Sequence, residues 1–312
     1  MELSISLDYW FTFPIAIGIA TIAMASGVEG ATFFTPLFIL GLGLPTEVAV
    51  GTGLITETFG FSSGLYAYVR KGLIDYSLGQ RLLLVTVPLA LVGTWVAQGI
   101  PSEVLKGILG LGLLAIAISF LQASESEDLA QLDAEIQSDL QADLQAHPDH
   151  LPQTCITSAA GETLCYSIAH PTEGRLLAGV GALFLGMVST GLGEMNGYFL
   201  IQRCRVPSKV AVATSVFVVA ITALTASIGH GVQFVQTGGD ALSTVLSLVI
   251  FTVPGVLIGA QFGSMVASRL SPQVLERSMG ILFVVVGTFV LGEILLSHRV
   301  ALAALLPNLL GG

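Results

Sequence analysis

Long apolar stretches separated by brief polar breaks run along most of this chain, and they repeat. The first spans about 10–26 and stops at Gly27. The second, 31–44, is interrupted by Pro36 and is too short to cross a bilayer as a straight helix, which takes about 20 residues. Pro45 opens a long stretch to about 69 that ends in Arg70-Lys71. Two more follow, 78–100 and 104–121, separated by Pro101. After a polar interval the plan recurs as 176–190, a short 198–206, 207–230, 241–267 and 274–296, with a modest apolar run at 300–310. The pattern predicts an all-α polytopic membrane protein of about eight full transmembrane helices plus two short segments, one broken helix in each half.

The polar interval reads differently. Leu129, Leu132, Ile136, Leu140 and Leu144 recur at helical steps among acids, which predicts one amphipathic helix. Beyond Pro148 and Pro152, β-branched residues flank Ala160-Gly161 and predict a small hairpin over 154–167. Cys155 and Cys165 flank that turn and could face each other; on a cytoplasmic insert the expectation is two unpaired thiols. The organisation is therefore 1–121, a first transmembrane repeat; 122–173, a polar insert; 174–298, a second transmembrane repeat; and 299–312, a short tail.

Composition agrees with the pattern. Of 312 residues, 53% are hydrophobic and only 10% charged, whereas soluble domains carry roughly a quarter charged residues. Thirty-six glycines suit close helix approach in a membrane. The formal charge of −10 is local: ten acids and no Lys or Arg lie between Glu125 and Glu173, and the other 11 acids balance 11 bases. Glu2 and Asp8 make an acidic front unlike that of a signal peptide, so the first stretch is read as a retained helix despite Ala23-Met24-Ala25. The three cysteines have no metal-ligand spacing.

The halves correspond in detail. Pro88-x4-Gly93-x3-Ala97 matches Pro254-x4-Gly259-x3-Gly263, and Val104-Leu105 with Gly110 matches Val274-Leu275 with Gly280. Glycine richness alone does not make prolines and spacings coincide, so the chain is read as an internal repeat. The basic residues reverse between halves. Arg70, Lys71 and Arg81 follow the long helix of the first half. In the second, Arg203, Arg205 and Lys209 precede it, and Arg269 and Arg277 follow the next one. That reversal favours inverted repeats with an odd number of crossings each. On that count the insert is cytoplasmic. Short runs that dip in and return would instead give parallel repeats.

Two signatures carry a family resemblance. The first is Gly27-Val28-Glu29-Gly30, a short apolar run, Pro45, Val48-Ala49-Val50-Gly51-Thr52-Gly53, a long helix and Arg70-Lys71-Gly72-Leu73-Ile74-Asp75. The second is Gly191-Leu192-Gly193-Glu194-Met195-Asn196-Gly197, Pro207 and Val210-Ala211-Val212-Ala213-Thr214-Ser215. Together they resemble the TauE/SafE family of sulfite and sulfonate exporters and permeases over nearly the whole chain except about 122–173. The resemblance implies transport of small sulfur-containing anions without ATP hydrolysis, by a multi-pass protein of the cell membrane. Glutamates within both glycine clusters and the long acidic insert depart from the family's usual pattern.

Glycine breaks at membrane depth are tolerated where backbone lines a cavity or is buried in protein. A helix restarting there turns N–H groups and a positive dipole end toward an anion. The expected substrate contacts are Gly27, Gly30, Gly191, Gly193 and Asn196, with hydroxyls from Thr52, Thr214 and Ser215. A threonine hydroxyl bonded to its own helix is an equal expectation. Glu29, Glu57 and Glu194 are the candidate proton carriers. An ionised side chain within a membrane helix costs about 2.5–3.5 kcal/mol on insertion scales, and such residues serve pathways, proton relays or polar pairs. A cation carrier using the same glutamates is the alternative, and an intramembrane enzyme a weaker one. No phosphate loop, nucleophile–base pair or metal cluster is legible, so no cofactor, no enzymatic activity and no nucleic-acid partner are expected. The expected partners are lipid, a small anion, protons and further copies of the chain.

Overall fold

The computed structural model describes residues 6–26, 29–122, 131, 133–139, 142, 154–168, 170–267 and 272–310. The first half holds α1 (Thr12–Ser26), α2 (Ala31–Pro36), α3 (Thr46–Lys71), α4 (Tyr76–Ala97) and α5 (Ser102–Gln122). Strands β1 (Thr154–Thr157) and β2 (Thr163–Tyr166) follow. The second half holds α6 (Pro171–Val188), α7 (Leu192–Gln202), α8 (Ser208–Thr237), α9 (Gly239–Ala267) and α10 (Pro272–Leu310). Among the described residues five helices, α4, α5, α8, α9 and α10, are long and apolar enough to cross a membrane. Helix α3 is long as well but carries Glu47, Glu57, Arg70 and Lys71. Leu84, Trp95, Leu111 and Phe289 project outward and exposed, as side chains facing lipid do.

Prolines shape the short segments. Pro36 lacks an N–H, and the chain beyond it loosens into a π turn at Leu37–Gly41. Pro45 and Pro207 open α3 and α8 with φ of −54° and −52°. The N–H of Leu44 donates to Phe38 at 3.1 Å, and that of Val206 to Leu200 at 3.0 Å. The same turn thus ends both short runs.

Each short helix turns back toward the face from which the longer one before it started, α7 packing on α6 and α2 chiefly on α3. Phe199 lies against Gly174, and Pro171, Gly174, Leu200 and Cys204 share one small pocket. Helix α7 therefore returns to the face from which α6 started. In the first half α1 runs alongside α9, with Phe13 at Gly255, Ile17 at Gly259 and Met24 at Gly263. Helix α2 then leads to Thr46, whose hydroxyl bonds Ser102 at the start of α5, 2.6 Å away. Helices α3, α4 and α5 span the layer in turn, so this second hairpin enters from the face opposite the first.

The contacts between halves are reciprocal. Gly93 meets the Leu183 carbonyl, and Gly259 meets that of Ile17; Gly110 meets Leu291, and Gly280 meets Leu121. The small residues paired across the halves in the sequence are where helix backbones approach one another. Threonine and serine pairs bridge further helices: Thr56 to Thr252 at 2.8 Å, Thr58 to Ser227 at 2.9 Å and Thr86 to Thr222 at 2.9 Å.

Several elements differ from expectation. The glycine cluster at 191–197 is broken only at its start: Ser189 and Gly191 have φ of 62° and 108°, while Gly193 and Gly197 lie inside α7. Residues 231–237 are helix, and α8 meets α9 at Gly238, whose φ of 63° makes the turn. The tail expected at 299–312 continues α10 as far as Leu310. Cys155 and Cys165 are opposite each other in the β1–β2 register and form a disulfide, in place of two unpaired thiols. The antiparallel ladder leaves them 4.1 Å apart at Cα. Of the amphipathic helix, Leu129, Leu132, Leu140 and Leu144 lie outside the described residues. Residues 133–139 are helical, with Ile136 buried.

The insert is fastened to the membrane body. Ala159 N–H donates to the Lys71 carbonyl at 2.8 Å, and the Tyr166 hydroxyl to Asp75 Oδ2 at 2.7 Å. Asp133 accepts from the backbone and hydroxyl of Ser208, and Glu162 pairs with Lys209 at 2.8 Å. Glu173 and Glu135 reach Arg203 and Arg205 at 3.1 and 3.8 Å. The insert's acidity is thus complementary to the basic turn at 203–209. Exposed pairs contribute only about 0–1 kcal/mol each, so their weight lies in register more than in stability.

Candidate functional site

The two hairpin tips meet inside the protein. Thr32 Oγ1 lies 3.0 Å from Thr190 Oγ1, and Thr35 Oγ1 lies 2.6 Å from Ser189 Oγ. Ser189 is fully buried in a left-handed conformation, a strained choice for a residue other than glycine. Its hydroxyl bond to Thr35 ties that strained turn to the opposite hairpin.

Glu29 sits at this junction, 2% exposed. Its Oε1 accepts from the Gly193 N–H at 2.5 Å, while Oε2 has no hydrogen-bond partner. Glu194, at the first turn of α7, faces the N–H groups of Gly191, of its own residue and of Glu29, without reaching hydrogen-bond geometry. Glu29 is therefore held by backbone N–H of the other half, and Glu194 faces N–H of both halves, each at the positive end of a short helix. A Cβ at Gly193 would stand 2.7 Å from Glu29 Oε1, so a side chain there would displace the carboxylate.

Glu57 comes from the middle of α3 and is 3% exposed. It approaches the N–H groups of Gly30 and Ala31, again with neither oxygen in a hydrogen bond. Glu29 neighbours both Glu194 and Glu57. All three carboxylates expected from the sequence thus belong to one buried cluster. Among the described residues no three His, Cys, Asp or Glu side chains are grouped so as to hold a metal ion.

A cavity of about 120 Å³ ends on Glu57 and Gly30, walled by Phe34, Phe61, Tyr68 and Val212. Tyr68 and Val212 also border a wide vestibule with Arg70, Lys71, Glu162 and Lys209 around its mouth. Those two side chains are shared by the walls of the vestibule and of the carboxylate cavity.

The remaining expected residues are placed as follows. Asn196 is buried with its Nδ2 unpartnered, and Ser215 is buried on α8. Thr52 donates to the Val48 carbonyl of its own helix at 2.6 Å, and Thr214 accepts from the Asp75 N–H at 3.0 Å. Gly27 lies outside the described residues. Sequence reasoning passed over Thr32, Thr35, Ser189 and Thr190, although they adjoin the glycine clusters. It also put His230 at a helix end. The helix continues past it, and His230 is 1% exposed, its Nε2 3.0 Å from the Gly186 carbonyl.

Outside the membrane layer two groups have shifted acidity. Burial, with the neighbouring Asp75 carboxylate, pushes the Tyr166 phenol up. Burial and the Glu173 charge push the Cys204 thiol up to about 12, so it is protonated at neutral pH.

The sequence profile described as Sulfite exporter TauE/SafE matches residues 12–290. The chain belongs to this family. That range takes in both hairpins, all three glutamates and the insert between the halves. Two Bacillus subtilis (strain 168) proteins are similar over most of their length. The probable membrane transporter protein YunE is 22% identical over 241 residues, 77% of this chain and 79% of its own. The probable membrane transporter protein YjnA is 24% identical over 268 residues, 84% and 91% respectively. A shorter match, 31% over 91 residues, links 29% of the chain to 35% of the probable membrane transporter protein ORF9 of Sinorhizobium sp. No solved structure matches. As a TauE/SafE protein the chain is a multi-pass membrane transporter.

Proposed function

We propose that this transporter moves small sulfur-containing oxyanions (sulfite, thiosulfate or an organosulfonate) in step with protons held by Glu29, Glu57 and Glu194. The observation that carries the reading is the meeting of two buried helix starts, α2 and α7, around glutamates with unpartnered oxygens. Backbone N–H at Gly30 and Gly191, and the unpartnered amide of Asn196, are donors suited to an oxyanion, and the Gly193 N–H would join by releasing Glu29. Thr52 and Thr214 would join only by releasing Val48 and Asp75. An anion is repelled by ionised carboxylates and admitted when they are protonated, which couples the two movements. The family description supports the anion class.

Flux into reconstituted vesicles tests this with radiolabelled sulfite, thiosulfate, a sulfonate and a divalent cation, each with and without a pH gradient. Uptake of at least one anion, altered by the gradient, is expected. Movement of the cation alone would replace this reading with a carboxylate-lined cation carrier, and movement of none by folded protein would end the transport reading altogether.

The reciprocal contacts and opposed hairpins support inverted repeats, the arrangement of many secondary transporters. The stretch before each short helix turns back with it, so each half crosses with three helices, an odd number, and returning short runs do not make the repeats parallel. Arg70, Lys71, Arg203, Arg205 and Lys209 share the face of the insert and favour its cytoplasmic placement. In a chain lacking its own cysteines, Ser77→Cys should label from the cytoplasm and Asp240→Cys from outside. Labelling of both from one side would remove the inverted arrangement.

A further inference from the structure

The vestibule holds chemistry that the buried glutamates do not explain. Lys209 Nζ is bonded to both oxygens of Glu162, at 2.9 and 2.8 Å. Glu162 stands in the turn of the β1–β2 hairpin, enclosed by the Cys155–Cys165 disulfide. One residue earlier in α8, the Ser208 N–H and hydroxyl are held by the Asp133 carboxylate, again from the insert. An ammonium and the start of a long helix are groups that bind a small oxyanion, and here the chain's own carboxylates occupy them. Arg70 and Lys71 lie over the rings of Tyr66 and Tyr68, 5.7 and 5.6 Å from their centroids. Neither cation meets a carboxylate among the described residues. Tyr68, beneath Lys71, is also a wall of the cavity that ends on Glu57.

We propose that the vestibule is a reception site for the transported oxyanion, with Lys209 as its main ligand and Arg70 and Lys71 as its flanks, and that Glu162 is a tethered competitor which the oxyanion displaces. The site rests on the transport reading for its ligand class. Bound there, the anion lies one side chain, Tyr68, from the inner cavity. The acidic insert then has a transport role: it sets how much free anion is needed to open the vestibule.

The test uses the full chain, with sulfite as probe, in phosphatidylcholine vesicles and by calorimetric titration of purified protein. Lys209→Gln should raise the half-saturating sulfite concentration about two- to fivefold, the range of one exposed charge pair, with the maximal rate unchanged. Glu162→Gln should lower it by a similar factor, and added salt should shrink both effects. Titration reads the same order of affinities without transport. A wild-type protein that carries no anion but binds sulfite with this dependence keeps the reception site and loses the transport reading. Binding and half-saturation that ignore both substitutions overturn the site, as does a Lys209→Gln effect that appears only when anionic lipid is added, since the cations would then serve head groups. A Glu162→Gln protein with weakened sulfite binding overturns the competitor role.

Discussion

Glu57→Gln is expected to abolish the response of anion flux to a pH gradient while leaving the protein folded. A carrier that moves one proton with each anion gains about tenfold in accumulation per unit of pH gradient, because one unit corresponds to about 1.36 kcal/mol. Glutamine keeps the size and polarity of Glu57 and cannot titrate. Both carboxylate oxygens of Glu57 are buried without a hydrogen bond, so the substitution breaks none and removes a costly buried acid. Melting temperature should hold or rise. Glu29→Gln preserves an oxygen for the Gly193 N–H and should behave alike, as should Glu194→Gln. The measurement is uptake at fixed inside pH over a series of outside pH values. Three variants that keep the wild-type pH profile would remove the proton role from this cluster.

Gly93→Ala should produce a large loss of stability for a single added methyl group. A Cβ there would lie 2.3 Å from the Leu183 carbonyl oxygen and 3.1 Å from its carbon. The obstacle is backbone and cannot rotate away, so α4 and α6 must part along their length. Overpacking of this kind costs about 1–3 kcal/mol and occasionally more. Gly259→Ala, 2.4 Å from the Ile17 carbonyl, should match it on the other hairpin. Gly112→Ala is the control: nothing lies within 4 Å of its Cβ position, and alanine exceeds glycine in helix propensity by about 1 kcal/mol. Thermal unfolding in detergent should drop for the first two and hold or rise for the third. Equal melting of all three would mean that the hairpins do not press on α4 and α9 as described. Transport should fall with stability in Gly93→Ala, because α6 carries the Ser189 tip to Thr35.

The glutamates were readable because a charge in an apolar run is conspicuous, and the structure buries their carboxylate oxygens. Thr32, Thr35, Ser189 and Thr190 were not, because a hydroxyl is common in membrane helices and usually bonds its own backbone. Thr52 does so; Thr35 instead bonds across to the other half, and no local signal separates the two. His230 was misplaced for a related reason. The apolar stretch ends there, but Phe234 and His230 fill the space over Gly51, and that packing carries the helix on to Thr237. The cysteines were seen as neighbours, and only the strand register decided that they pair.

By itself the sequence determined the solvent, the elements and the chemistry on offer. Apolar run lengths demand a bilayer, prolines and glycines mark where helices start and stop, and acids in those runs are too costly to be incidental. These are local properties, each legible in a window of a few turns. The tertiary structure alone decided that two short helices fold back from opposite faces and meet tip to tip. It brought Glu29, Glu57 and Glu194 from three separate stretches into one cluster, and gave the Glu29 carboxylate a donor 164 positions away. It also set the insert's acids against the basic turn at 203–209. Such pairings depend on which helices can approach backbone to backbone, and that is fixed by complementary small residues on different helices rather than by any one segment.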